Sequence, residues 1–225
     1  MQDTDTVQKI AVFDFCETLA DFQTANAFVD FVRHNTKSFG IRSRNLICVL
    51  LFKSQVVKIL NTITSHKYSI GKLIKLWQLK GLSHDKVDEL ANRFYKERVE
   101  PHLIDATINR LRLLKKDGYK VGLSSGGYDV YLKYFANDYE LDFVQCSVIA
   151  FKNGLCTGRI DGVDCMRKEK VNRLTCTFGE GTNAIAFSDS KSDLPMLQWA
   201  SQGVVISRGG HQQWMEKYNL QEIIW

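Results

Sequence analysis

The sequence has only two prolines in 225 residues and no run of apolar residues near the ~20 that a membrane-spanning helix requires. Its apolar stretch NLICVLLF (45–52) is far too short. Six cysteines (Cys16, Cys48, Cys146, Cys156, Cys165, Cys176) include no C-x2-C pair, and five histidines (His34, His66, His84, His102, His211) include no H-E-x-x-H. That excludes the common structural-zinc and zinc-protease patterns. The polar, acidic start MQDTDTVQKI has neither the basic nor the apolar region of a secretory leader. The expectation is a protein of the cytoplasm or the inner face of a membrane, whose cysteines, Cys16 excepted, are mostly small buried hydrophobes and not a disulfide framework.

Acidic residues are missing from one long segment. Between Phe31 and His84 there are ten Lys or Arg and no Asp or Glu, in a chain of net charge +5. Such a segment is either a solvated basic helical face or a surface for an anionic partner: a phosphorylated substrate, a lipid headgroup or a nucleic-acid backbone. No nucleic-acid-binding motif accompanies the charge, so nucleic acid is not expected. LICVLLFKSQVVKIL (46–60) mixes apolar and basic side chains as an interfacial helix does, and a buried helix reads the same way. Peripheral membrane contact through 31–84 is therefore one expectation.

What is present suits a globular α/β chain. At 44% hydrophobic and 24% charged, 225 residues can bury a core and carry a sizeable insertion. KIAVFD (9–14) reads as a buried strand ending in a carboxylate. Helical spacing follows over 22–34, 85–99 and 102–116, the last stopping at Gly118. YKVGLSS (119–125) predicts a strand leading into a Ser-Gly-Gly turn, then a helix near 128–137. A hairpin over 143–151 and 155–160 turns at Asn153-Gly154. Helices near 166–176 and 193–200 alternate with strands NAIAFSD (183–189) and GVVIS (203–207). This alternation predicts a parallel, Rossmann-like sheet with helices on both faces. In such sheets the site lies at the carboxyl ends of strands, where Asp14, Ser125 and Asp189 each fall.

Four pieces occur in order: FDFCETL (13–19), SSGG (124–127), CMRKEKVNRL (165–174) and FSDSKSDLPML (187–197). Together they suit phosphate chemistry. A strand-end carboxylate can attack phosphorus. A second can share a hard divalent cation with it. A serine hydroxyl and the amides of a Gly-Gly segment can hold phosphate oxygens, and a lysine can offset charge developing at phosphorus.

In the order and spacing of these motifs the chain resembles the haloacid dehalogenase superfamily, in its phosphoserine-phosphatase-like branch. The resemblance implies an α/β core from residues 1–20 and 101–225, a helical cap from 21–100 inserted after the first strand, and a Mg2+ cofactor. It implies that Asp14 is the nucleophile, that Ser125 and Gly126 bind phosphate, and that Asp14, Asp189 and the backbone carbonyl of Cys16 ligate the metal. Lys170 fits the active-site lysine, with Lys168 as runner-up, and Asp193 supports the metal shell or the lysine. Ser188 stands where many relatives have glycine. The implied activity is hydrolysis of a small or lipid-linked phosphomonoester.

Cys16 departs from that pattern, which has a second aspartate there to protonate the leaving group and later activate water. Positioned acid–base catalysis contributes about 10²–10⁴-fold, so slow hydrolysis is expected. The alternatives are a catalytically silent phosphate- and metal-binding module, a phosphotransferase, or a hydrolase acting on other bonds; superfamily members that cleave carbon–phosphorus or carbon–halogen bonds also lack this aspartate. Glu17 is no obvious replacement if the chain stays extended, because alternate side chains then point apart.

Overall fold

In the computed structural model, which describes residues 8–54, 57, 59, 70–209 and 213–225, Ile10–Phe13 forms the central strand β1. All four residues are buried, as a strand covered on both faces must be. β1 pairs in parallel with β2 (Lys120–Tyr128) on one side and β5 (Gly181–Ser188) on the other. Beyond β2 lie β3 (Phe143–Lys152) and β4 (Leu155–Asp161); beyond β5 lie β6 (Ala200–Ser207) and β7 (Gln221–Ile224). The order is β4-β3-β2-β1-β5-β6-β7, parallel except for the β3–β4 hairpin. Its turn residues Asn153 and Gly154 have φ of 51° and 74°, the left-handed pair a two-residue hairpin needs. The expected Rossmann-like α/β core is what the chain forms.

Between β1 and β2 the chain builds α1 (Thr24–His34), α2 (Phe39–Lys53), α3 (Ile70–Leu76), α4 (His84–Phe94) and α5 (Asp105–Lys116). Ser83 caps α4 by accepting a hydrogen bond from the Lys86 amide. After Phe94 the helix widens into a π-type turn over Tyr95–Val99, ahead of Pro101. The remaining helices are α6 (Asp129–Asp138), α7 (Lys168–Phe178), α8 (Leu194–Trp199) and α9 (Gln213–Lys217).

Alternation along β1 divides the core. Ala11 and Phe13 join one apolar cluster with Phe28, Phe94, Leu123 and Tyr131, while Ile10 and Val12 join another with Leu174, Met196 and Val205. The first cluster runs without a break from the sheet into α1, α3 and α4, so the inserted helices are seated on one face. Phe13 and Phe187 stack across β1 and β5 with ring centroids 4.2 Å apart.

Several details differ from the sequence expectations. The Ser-Gly-Gly stretch is no turn: β2 continues through it to Tyr128, with its register against β3 shifting between Ser125 and Tyr128. A Cβ at Gly126 would lie 2.9 Å from Met166, and one at Gly127 2.7 Å from the Tyr131 hydroxyl, so a side chain at either position would have to displace its neighbour. The helix expected from 166 starts at Lys168, because Arg167 sits at φ 54° outside helical geometry. The strand β7 and the helix α9 are too short for periodicity to reveal. The 46–60 stretch is only partly seen: α2 starts earlier, at Phe39, and residues 55, 56, 58 and 60 lie outside the described residues, as do His66 and His211. All six cysteines are free, and Cys48, Cys146, Cys156 and Cys165 are buried, as expected of small hydrophobes.

Removing the Phe187 ring opens a cavity under the central strands. Phe187→Ala is expected to lose about 3–5 kcal/mol in urea unfolding; a loss under about 1 kcal/mol would show that the stacked pair is not a core element.

Candidate active site

The chain leaves β1 for strands on one side and returns to build strands on the other, and a crevice forms at their carboxyl ends where the direction changes. Three adjacent strands deliver side chains there. Asp14 follows β1, its amide donating to the Phe187 carbonyl at 2.8 Å; Ser125 lies in β2, and Asp189 follows β5. All three line one cleft of about 490 Å³, with Cys16, Glu17, Gly126, Lys170 and Asp193.

Lys170, on the first turn of α7, is buried at the floor of this cleft. Its Nζ lies 2.8 Å from Asp14 Oδ1 and 2.5 Å from Asp193 Oδ2. Asp193 also accepts from the Ser188 hydroxyl at 2.9 Å. Lys168 is exposed and lines no part of the cleft. Burial opposes the Lys170 charge, but Asp14 and Asp193 outweigh it and hold the ammonium above the usual lysine range. Burial pushes the Asp14 carboxyl up, with Lys170 pulling against it. Asp189 is pushed up to about 7, first by burial and then by the charges of Asp14 and Glu17. The cleft thus gathers more negative charge than Lys170 offsets.

Thr18, which the sequence reading passed over, fixes Asp189. Its buried hydroxyl donates to Asp189 Oδ1 at 3.3 Å and accepts from the Asp189 amide at 3.0 Å. The signal was present, a hydroxyl residue four positions after Asp14 within the first motif. Ser125 is fully buried, and its Oγ accepts from the Gly127 amide at 3.1 Å.

Lys72 was counted in the basic segment and belongs elsewhere. It is buried, and its Nζ donates to the Gly126 carbonyl at 2.5 Å, to Ser147 Oγ at 3.1 Å and to Asp164 Oδ1 at 2.5 Å. A lysine desolvated and fully engaged in this way is no headgroup contact. Lys75 also faces the cleft, 3.6 Å from Asp30, while Lys80 is exposed.

The Cys16 thiol turns toward α1. It accepts from the Thr24 amide at 3.4 Å and lies 3.1 Å from Thr24 Oγ1, which is 2.8 Å from the Tyr131 hydroxyl. Burial, then the Asp14 charge, pushes the thiol up to about 11. Glu17 does not continue the strand: its φ of 55° turns the backbone left-handed and it lines the cleft beside Cys16, so the alternation argued for an extended chain does not apply here. Among the described residues no three His, Cys, Asp or Glu side chains are grouped to hold a metal ion. A cation here would rest on two carboxylates, Asp14 and Asp189, whose hard oxygen donors suit Mg2+.

A profile of the family described as haloacid dehalogenase-like hydrolase matches residues 11–198. The phosphoserine phosphatase of Lactococcus lactis subsp. lactis is 32% identical over 109 residues, 47% of this chain and 50% of that protein. The chain thus spans about half the length of that relative. A protein of unknown function from Bordetella pertussis Tohama I has the same fold, with a TM-score of 0.78 at 17% identity over 97% of this chain and 99% of that one. A substrate-bound phosphoserine phosphatase complex aligns with a TM-score of 0.63 at 16% identity, over 96% and 92% of the two chains.

A carboxyl raised by folding loses stability as pH rises, because the unfolded chain ionises first. Without divalent cations, Asp189 should therefore weaken the fold as pH climbs from about 4 to about 7. Asp189→Asn is expected to remove that share of the slope in urea titrations with chelator. Parallel slopes for the variant and the wild type would refute the electrostatic account of the cleft.

Proposed function

This chain belongs to the haloacid dehalogenase-like hydrolase family, and from that premise we propose that it hydrolyses phosphate monoesters through an aspartyl phosphate on Asp14. The observation that carries this reading is the convergence of Asp14, Ser125, Asp189 and Lys170 on one cleft from three adjacent strands and a helix. Residues 21–100 are read as the cap over it. The substrate class is a small or lipid-linked phosphomonoester; the phosphoserine phosphatase among its relatives supports the small one.

In this mechanism the Asp14 carboxylate attacks phosphorus, a new P–O bond forms, and the bond to the alcohol oxygen breaks, the departing oxygen taking its proton from solvent. Lys170 works against the burial that pushes the Asp14 carboxyl up and offsets charge on the transferring group. Ser125 and the Gly126 amide hold phosphate oxygens, and Asp193 positions Lys170. Asp14, Asp189 and the Cys16 carbonyl would hold Mg2+, which when bound supplies positive charge to the phosphate oxygens. Water then attacks the aspartyl phosphate, breaking its P–O bond to Asp14 and releasing phosphate. With its thiol pushed up to about 11 by burial and the Asp14 charge, Cys16 stays neutral at pH 7 and is no base. Glu17 is the carboxylate of the cleft left to take the proton of that water.

A second reading, a silent phosphate- and metal-binding module, is favoured by the same neutral thiol. Phosphate release from an aryl phosphate with Mg2+ separates the two. Wild type is expected to turn over slowly, Asp14→Asn not at all, and Cys16→Asp about 10²–10⁴-fold faster. Glu17→Gln should slow release and prolong a hydroxylamine-sensitive phosphate on the protein. A dead wild type with an active Cys16→Asp would establish the silent module instead.

A further inference from the structure

We propose that α2 docks the protein on an anionic lipid surface and brings the mouth of the cleft to the headgroup layer. Phe39, Leu46 and Leu50 are 86%, 62% and 59% exposed, and Ile47, Val49 and Phe52 are exposed beside them. Of thirteen large apolar side chains left exposed among the described residues, six belong to this one helix. Exposed apolar side chains concentrated on one helix in this way mark an interaction site and not ordinary solvent exposure.

The helix is not loosely attached. Its inner face buries Ile41 and Cys48, the Cys48 thiol donates to the Ile74 carbonyl, and Arg44 donates to the Gln78 and Lys80 carbonyls. The apolar residues therefore project from a fixed scaffold. Positive charge lies among them: Phe39, Arg42, Leu46, Leu50 and Lys53 follow one another at spacings of three or four, which places them on one helical face. Exposed Lys37 and Lys80 extend the charge, and the segment from Phe31 to His84 contains no acid to neutralise it.

This charge selects the occupant. A second copy meeting this face about a two-fold axis would set Arg42 and Lys53 against their own equivalents with no carboxylate between them. A nucleic-acid backbone would satisfy the charges and leave the leucines in water. An anionic bilayer satisfies both, apolar side chains entering the acyl boundary and basic ones meeting headgroups.

Phe52, on the last turn of α2, is also a wall of the cleft, as is Lys75 of α3. Docking through α2 thus brings the cleft to the surface where a lipid-borne phosphomonoester is presented. That choice of substrate class rests on the phosphatase reading; the docking itself does not.

The test is co-sedimentation of the full chain with phosphatidylcholine vesicles, with and without phosphatidylglycerol. Wild type is expected to sediment with the anionic vesicles alone. Leu46→Gln/Leu50→Gln should lower partitioning roughly tenfold or more, and Arg42→Gln/Lys53→Gln should erase the preference for anionic lipid. All are surface changes, so unchanged urea unfolding and unchanged aryl phosphate turnover are expected alongside. The docking proposal is overturned if wild type ignores anionic vesicles, or if the leucine variant binds them equally. It is overturned too by a dimer in light scattering that the leucine variant dissolves. Vesicle binding without aryl phosphate turnover would sink the phosphatase reading and leave docking standing; turnover without vesicle binding would do the reverse.

Discussion

The Lys170 ammonium, buried between Asp14 and Asp193, is the contact on which the rest of the site depends. A lysine withdrawn from water is tolerable only where opposite charge and hydrogen bonds replace the solvent. Here they come from the ends of two central strands and the start of a helix, so β1, the segment after β5 and α7 can take their places only together. The left-handed Arg167 and the contact between Gly126 and Met166 set where α7 begins, and that start determines whether Lys170 reaches the strand ends. Fold and site are the same constraint at this point.

A second buried lysine does for the insertion what Lys170 does for the core. Lys72 leaves α3, crosses into the sheet region and joins Asp164, Ser147 and the carbonyl of Gly126. Gly126 is one residue from Ser125, so the segment proposed to hold phosphate is tied to the inserted helices by one ammonium. Moving α3 away from the core would free that carbonyl and unpair Asp164. Both lysines line the cleft, and both are spent on protein carboxylates.

Much of this was legible in the sequence, for physical reasons that also mark its limits. Short apolar runs ending in an acid announced Asp14 and Asp189, because a strand buried on both faces admits a charge only where it emerges. Choosing between Lys168 and Lys170 depends on which helical face meets the strands, and neighbouring motif residues alone do not decide that. Lys72 was lost to a count of charges, since composition weighs a solvated lysine and a buried one alike. The alternation argument about Glu17 holds for an extended chain, and one left-handed residue makes it inapplicable. An apolar helix has the same composition buried or exposed; the outward face of α2 came from the packing of Ile41 and Cys48 beneath it.

The thiol at position 16 is best understood through the charge it does not carry. Burial and mutual repulsion already push the carboxyls of Asp14 and Asp189 up, and Glu17 adds to the field on Asp189. A further carboxylate at position 16 would sit in the same desolvated space and raise its neighbours again. A neutral thiol avoids that, and its contacts with Thr24, continued to Tyr131, bind the start of α1 to the helix that follows β2. A thiol at position 16 thus adds no charge to the cleft and anchors the start of α1, while Glu17, at a left-handed turn, lines the cleft beside it. Under the proposed mechanism the thiol is a compensated substitution: the proton-accepting role passes to the next residue, Glu17, while Asp14 keeps its ion pair with Lys170.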